Sequence, residues 1–436
     1  MTDCSLSTIE FPTCCRRRVA ADFGGGDISS NGGAVLLSAA EGRLGLLSGL
    51  ARRLDDPRQT GKVEHKLAAV LRQRVFAIGL GHEDVNDHEA LRDDLALQTA
   101  CGRDRRLASA STVGRLERAA DRRWAWAAHV AMVECFIASF ERPPEELVLD
   151  FDATDDAVHG RQEGRFFHGY YDHYCFLPLY VFCGDQLLES YLRPSNIDGA
   201  KHAWAVLKLL VDRLRQAWPK VRIILRADSG FCRHRMLGWC ERNDVGYIVG
   251  LAKNARLNEQ ASMWMAWAEA AYRHGGEKQR LFAGLRYAAA TWKKQRRVIA
   301  RLEHGPKGAN PRYVVTNLEG DGQQLYEDLY CQRGEMENRI KEQLALFADR
   351  TSCHEWWANQ FRLLLSSLAY TLLEAIRRLA LRGTYMARAQ AGSIRLKLLK
   401  IGAVVIRNTR RVSIHLSTAC PDKRLFQLAA ARLKAG

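Results

Sequence analysis

Residues 145–154, EELVLDFDAT, and 221–228, VRIILRAD, are two short β-type runs that each end on carboxylates. Side chains alternate across a strand, so Leu147, Leu149 and Phe151 share one face, while Val148, Asp150 and Asp152 share the other. Asp152 lies nearer the strand end, where a ligand is more accessible, and is preferred over its same-face competitor Asp150. Asp155 and Asp156 fall in the turn that follows. Asp228 closes the second run in the same way, before Ser229 and Gly230, which permit a sharp exit from the strand. An Asp at a strand end is often only a turn or cap residue. Two of them on strands that should be neighbours carry more meaning.

Around these runs the chain alternates. YCFLPLYVF (174–182) and QLLESYLRP (186–194) read as strands joined in a hairpin through Cys183-Gly184-Asp185. HAWAVLKLLVDRLRQAW (202–218) is an amphipathic helix, RMLGWCERN (235–243) a second, and VGYIVGLA (245–252) another strand. A strand meander followed by alternating helix and strand predicts an α/β fold: a ribonuclease H-like core, its mixed sheet flanked by helices. Between about 258 and 325 basic strand-like pieces such as LRYAAATW, QRRVIARLEH and RYVVTNL interrupt that rhythm and predict a β-rich insertion. The expected organisation is an irregular, Gly-rich N-terminal arm (1–40) and a helical region (41–142) whose layout suits a DNA-binding region, with an ordinary helical subdomain as the alternative. The core's first part (143–257), the insertion (258–325), the core's second part (326–382) and a basic C-terminal region (383–436) follow. Within the helical region, Ser111 is the expected N-cap of a basic helix.

A third carboxylate comes from YCQRGEMENRIKEQL (330–344). At about 100° per residue, Tyr330, Arg333, Glu337 and Lys341 share one helix face, and Glu335 points away. Glu337 could bind metal there while its neighbours hold phosphates; the structural alternative is a solvated Glu337–Lys341 pair. Phosphodiester chemistry is served by two divalent ions ~4 Å apart, which take oxygen ligands from converging carboxylates.

The composition agrees with a polyanionic partner. Lys+Arg 65 against Asp+Glu 49 gives a formal net charge of +16 over 436 residues. The most apolar stretch, Leu363–Leu373, is broken by Ser366 and Ser367 and reads as a buried helix, so no membrane partner is expected. The twelve Cys include no C-x-x-C pair, and the N-terminus lacks a signal-peptide layout. Reduced thiols in a cytoplasmic, nucleoid-associated protein are the expectation.

Taken together, LVLDFDATDD, RADSGF and Y-x-x-R-G-x-x-E-N resemble the DDE transposases of bacterial insertion sequences, in the branch with a Tyr-Arg-Glu-Lys signature. SNGGAVLL, GHEDVNDHEALRDD and HGYYDHYCFLPLYVF extend the resemblance over nearly the whole chain. It implies that Asp152, Asp228 and Glu337 are the catalytic metal ligands for two Mg²⁺ ions, with Mn²⁺ as a substitute. Tyr330 and Arg333 match the signature's Tyr and Arg. The signature's Lys falls on Leu344, and Lys341 is the nearest candidate. The resemblance further implies cleavage of double-stranded DNA at terminal inverted repeats, strand transfer into target DNA, and a homodimeric synaptic complex. Related enzymes stack a flipped base on an insertion Trp; Trp292, beside Lys293, Lys294, Arg296 and Arg297, is the candidate, with packing in a local core as the alternative. Two rival readings are a metal-dependent nuclease that does not join DNA and an inactive transposase-derived DNA-binding protein.

Overall fold

The structure is a computed structural model and describes residues 8–434. The chain forms two compact units, 118–371 and 8–117 with 372–434.

The first of these contains a mixed sheet. Helix α1 (Arg122–Ala138) starts where the Asp121 carboxylate accepts from the Trp124 amide at 2.9 Å, an N-cap that satisfies an otherwise orphan donor. Strands β1 (Glu146–Ala153), β2 (Leu179–Cys183) and β3 (Gln186–Tyr191) then form an antiparallel meander. Helix α2 (Ala203–Ala217) leads to β4 (Arg222–Ala227), parallel to β1. Helix α3 (His234–Arg242) leads to β5 (Gly246–Leu251), parallel to β4. After α4 (Ser262–Gly275) come β6 (Gln279–Tyr287), β7 (Arg296–Gly305) and β8 (Gly308–Thr316), all antiparallel. The sheet order is β6-β7-β8-β5-β4-β1-β2-β3.

The segment 258–325 therefore begins with a helix and continues the main sheet, because β8 pairs with the outer edge of β5. An exposed edge leaves a row of unpaired backbone groups, and the added strands satisfy it. Their apolar side chains Val298, Ala300 and Leu302 join the same core as Leu149, Phe151, Leu225 and Val249, packed with α2 and α3. Each fully buried Val, Leu or Phe side chain among these contributes about 1.5–3 kcal/mol. On the opposite face Ile248, Ile299 and Val314 pack with Tyr326. Helix α6 (Trp356–Ala375), numbered after α5 (Gly334–Leu344), holds the Leu363–Leu373 stretch, and Tyr370 meets Phe182 edge-on at 5.9 Å. No single helix among the described residues is long and apolar enough to cross a membrane.

The other unit is mainly helical, with helices Ala34–Leu44, Leu46–Arg53 and Leu67–Leu80. Residues 8–40 differ from the irregular arm expected of 1–40, whose first seven residues lie outside the described residues. They include a hairpin, Ile9–Cys14 with Arg17–Ala21, turned by Cys15 and Arg16 at φ 48° and 67°. Every residue of that hairpin is exposed, so no apolar alternation announced it. The cap expected at Ser111 also shifts. That helix begins at Ala110, whose amide is satisfied at 2.8 Å by the Glu89 carboxylate, a long-range cap that local sequence does not reveal. The basic C-terminal stretch is folded: strands Ala403–Arg407 and Val412–Leu416 form a sheet with Ile28–Ser29, and Lys423–Lys434 is helical.

Inside the sheet one polar pair is buried. Arg226 stands opposite Asp150 in register, and its guanidinium holds both carboxylate oxygens, one at 2.7 Å. Removing one member of a buried pair strands its partner's charge and costs about 3–5 kcal/mol. Asp150→Ala is accordingly expected to lower the urea unfolding midpoint by that equivalent. A midpoint within about 0.5 kcal/mol of wild type, the ordinary range for a surface substitution, would contradict the structural role of Asp150.

Candidate active site

The three carboxylates arise from three different elements. Asp152 is the penultimate residue of β1 and half-buried, its side chain 15% exposed. Asp228 follows β4 directly and caps the short 3-10 turn Ser229–Phe231, its Oδ1 accepting from the Gly230 amide at 2.8 Å. It is thus both a cap and a strand-end carboxylate, with Oδ2 outside that bond. Gly250, on the neighbouring β5, makes room for it: a Cβ there would lie 2.7 Å from the Ser229 amide nitrogen and 2.7 Å from the Tyr330 hydroxyl. Nothing in the sequence around Gly250 marks this close approach.

Glu337 lies in the first turn of α5, and the path leading there is not a uniform α-helix. Residues Leu325–Tyr330 form a π-helix and Cys331–Arg333 a 3-10 turn before α5 begins. The expected face survives because 3-10 geometry eclipses residues three apart, aligning Tyr330 with Arg333, and α geometry then aligns Arg333 with Glu337. Arg333 lies between two of the carboxylates, donating from Nη1 to Asp152 Oδ2 and from Nη2 to Glu337 Oε1, each at 3.1 Å. Glu337 therefore pairs with Arg333 one turn back, not with Lys341. Lys341 is exposed on the same helix, as is Leu344 in part.

The electrostatics carry the mark of convergence. Burial pushes the Asp152 carboxyl up to about 6; Arg333 pulls it down, and the charges of Asp228 and Glu337 push it up again. Burial, with the charge of Asp228 adding to it against the pull of Arg333, raises the Tyr330 phenol to about 12. Tyr330 is thus a hydrogen-bond donor at neutral pH. Asp150 does not compete for this cluster, since Arg226 holds it in the sheet interior. Of the two acids beyond Asp152, Asp155 bonds His173 Nε2 at 2.9 Å, and Asp156 is buried against Thr351 Oγ1 at 3.0 Å.

These carboxylates sense one another without being gathered to coordination distance: among the described residues no three His, Cys, Asp or Glu side chains are grouped so as to hold a metal ion. Their chemistry nevertheless fits a hard divalent cation, which takes oxygen ligands. The guanidinium of Arg333 supplies positive charge at a point that Asp152 and Glu337 share. Glu337 is 54% exposed at its side chain and reaches the cluster only through Arg333.

Trp292 makes its ring contacts with residues of β6 and β7. It lies between β6 and β7, meets Tyr287 edge-on at 5.6 Å, and carries the Arg296 guanidinium 4.9 Å from its ring centre. It packs, partly buried, against the main core.

Comparison with curated protein sequences finds no match. Among solved structures, the chain is similar to one described as the cryo-EM structure of piggyBac transposase synaptic complex with hairpin DNA. The identity is 9% and the TM-score 0.40, covering 84% of this chain and 79% of that one. The sequence family described as Transposase DDE domain group 1 matches residues 11–435, nearly the whole length. The chain belongs to that family of DDE transposase domains.

Proposed function

We propose that the protein is the transposase of a bacterial insertion sequence in the Tyr-Arg-Glu-Lys branch, cutting DNA at the element's inverted repeats and joining the ends to target DNA. The observation that carries this reading is the Arg333 bridge between Asp152 and Glu337, with Asp228 on the adjoining strand end. The meander β1-β2-β3, continued by the parallel strands β4 and β5, supports a ribonuclease H-like core.

Asp152, Asp228 and Glu337 would hold two Mg²⁺ ions, or Mn²⁺ in their place. When bound, such ions make a water or 3′-hydroxyl nucleophilic and neutralise charge on the leaving oxygen. The protein's own groups do the rest. Asp152, ionised above about pH 6, would serve as a ligand without first losing a proton at neutral pH. Arg333, which holds Asp152 and Glu337 in this structure, would offer its planar fork of donors to a phosphate once those carboxylates hold cations. The Tyr330 hydroxyl donates to the DNA backbone beside it, and Lys341 extends the same basic face. The net charge of +16 supplies sequence-independent attraction to duplex DNA. Two ends must be processed together, so a homodimer on paired ends is the working assembly in the cytoplasm.

The decisive assay incubates the protein with element-end DNA, target DNA and Mg²⁺. Joined products support transposition; cleaved ends with no joined product would favour a nuclease, and an inert wild type a DNA-binding relic. Asp228→Ala is expected to reduce cleavage about 10³-fold, the several kcal/mol that a bound cation supplies. Cleavage at the wild-type rate would remove Asp228 from the site.

A pH dependence follows from Asp152, whose carboxyl rises from 3.8 in the unfolded chain to about 6. The folded state then holds a proton that the unfolded state releases, so stability falls as pH rises from about 4 to 6, by up to about 3 kcal/mol. Without divalent ions, Asp152→Asn should flatten this fall in chemical unfolding. With Mn²⁺ titrated calorimetrically, wild-type affinity should decline by up to tenfold per unit below pH 6, as proton and cation compete. A pH-independent affinity between 5 and 7 would contradict the assignment.

A further inference from the structure

Beyond the carboxylates stands a small hairpin made of Phe166–His168 and His173–Phe176, with Phe167 opposite Tyr174 and His168 opposite His173. Its base is fixed. Cys175 and Phe176 are fully buried. Gly164, at φ +78°, lies so close to Trp356 that a Cβ would be 2.5 Å from that ring. The Glu163 carboxylate accepts from the Trp356 amide at 3.0 Å.

The tip is different. Phe167 is 52% exposed, Tyr174 48% and Tyr170 85%. Aromatic side chains normally provide buried contact area, and a cluster of them left in water marks an interaction surface. Phe167 and Tyr174 meet edge-on at 5.7 Å on one face, and the Arg165 guanidinium lies 4.6 Å from the Tyr174 ring centre. At the turn, Tyr170 and Tyr171 stack edge-on at 5.0 Å, with Asp172 left-handed at φ 57°.

The hairpin is tied to the active site. His173 bonds Asp155, only three residues beyond Asp152, so the two are no more than about 11 Å apart along the backbone. Burial, with the charges of Asp155 and Asp152 adding to it, pushes the Tyr171 phenol up to about 12, as proximity requires. Flat rings with an attendant guanidinium, in a protein of net charge +16, suit the faces of nucleobases better than an apolar protein partner.

We propose that this hairpin is a stacking platform for unpaired DNA bases beside the scissile phosphate, with Phe167 and Tyr170 as the contacting rings. The proposal rests on the reading of the three carboxylates as a DNA-cutting centre. Unstacking a base costs a few kcal/mol, and stacking on a side chain returns about 1–3 kcal/mol per base. The platform thereby favours a locally opened strand where the cut is made. Trp292, enclosed by Tyr287 and Arg296, has less open ring surface for that task.

The test uses the full chain and two probes: a blunt duplex, and the same duplex with a short single-stranded extension carrying 2-aminopurine. Wild type should bind the extended probe more tightly and quench its fluorescence. Phe167→Ala and Tyr170→Ala should each weaken that binding about 5- to 150-fold, with the blunt duplex unaffected and Tyr170→Phe restoring the affinity. Alanine variants that bind the extended probe as wild type does would overturn the platform, as would equal losses on both probes. A changed oligomeric state in sedimentation with DNA binding intact would also overturn it, making the patch a protein interface. If wild type binds neither probe, the DNA-cutting reading falls with it. If Asp228→Ala abolishes cleavage while the aromatic variants bind normally, only the platform falls.

Discussion

One guanidinium gathers the elements on which the site depends. Arg226 belongs to β4, grips Asp150 on β1, and donates from Nη1 to the Leu329 carbonyl at 2.6 Å, one residue before Tyr330. The strand bearing Asp152, the strand leading into Asp228, and the segment leading into Glu337 thus meet at a single side chain. Buried charge is costly unless paired and hydrogen-bonded; that cost makes any arrangement that leaves Arg226 unpaired unfavourable. The pair therefore specifies the relative placement of β1, β4 and the π-helix, more than it adds net stability.

A second guanidinium sits at the surface of this arrangement with a different consequence. Arg333 neutralises Asp152 and Glu337 while they face each other across a partly exposed site. Three acids so placed repel, and the raised Asp152 carboxyl measures that repulsion together with burial. Carboxylates held this way around one positive charge are the kind of group that would hold a cation of higher charge. The π-helix and 3-10 turn upstream are the kind of irregularity that recurs at functional sites.

Much of this was legible in the chain. Alternation in EELVLDFDAT assigned Asp152 to the face away from the apolar core, and the Ser-Gly pair after Asp228 announced its turn. The order of the main sheet's strands and helices through Leu251 also followed from periodicity. The run 174–182, read as one strand, instead divides at Leu177-Pro178 between the small hairpin strand His173–Phe176 and β2 (Leu179–Cys183), which belong to different sheets. What was hidden depends on register and distance. Asp150 and Asp152 share a face, and only the β1–β4 register, which sets Arg226 opposite Asp150, separates the acid held inside the sheet from the one paired with Arg333. The choice of Arg333 over Lys341 as partner of Glu337 depends on a local helix type that uniform periodicity ignores. Gly250 and the aromatic hairpin act through contacts with residues distant in sequence.

The most direct measurement is a structure of the protein with element-end DNA and Mn²⁺, in which anomalous scattering locates the ions. The assignment of Asp152, Asp228 and Glu337 as ligands predicts density coordinated by all three, with Arg333 turned from the carboxylates toward a phosphate. Ions bound elsewhere, or Arg333 still bridging Asp152 and Glu337 beside a bound DNA end, would contradict it.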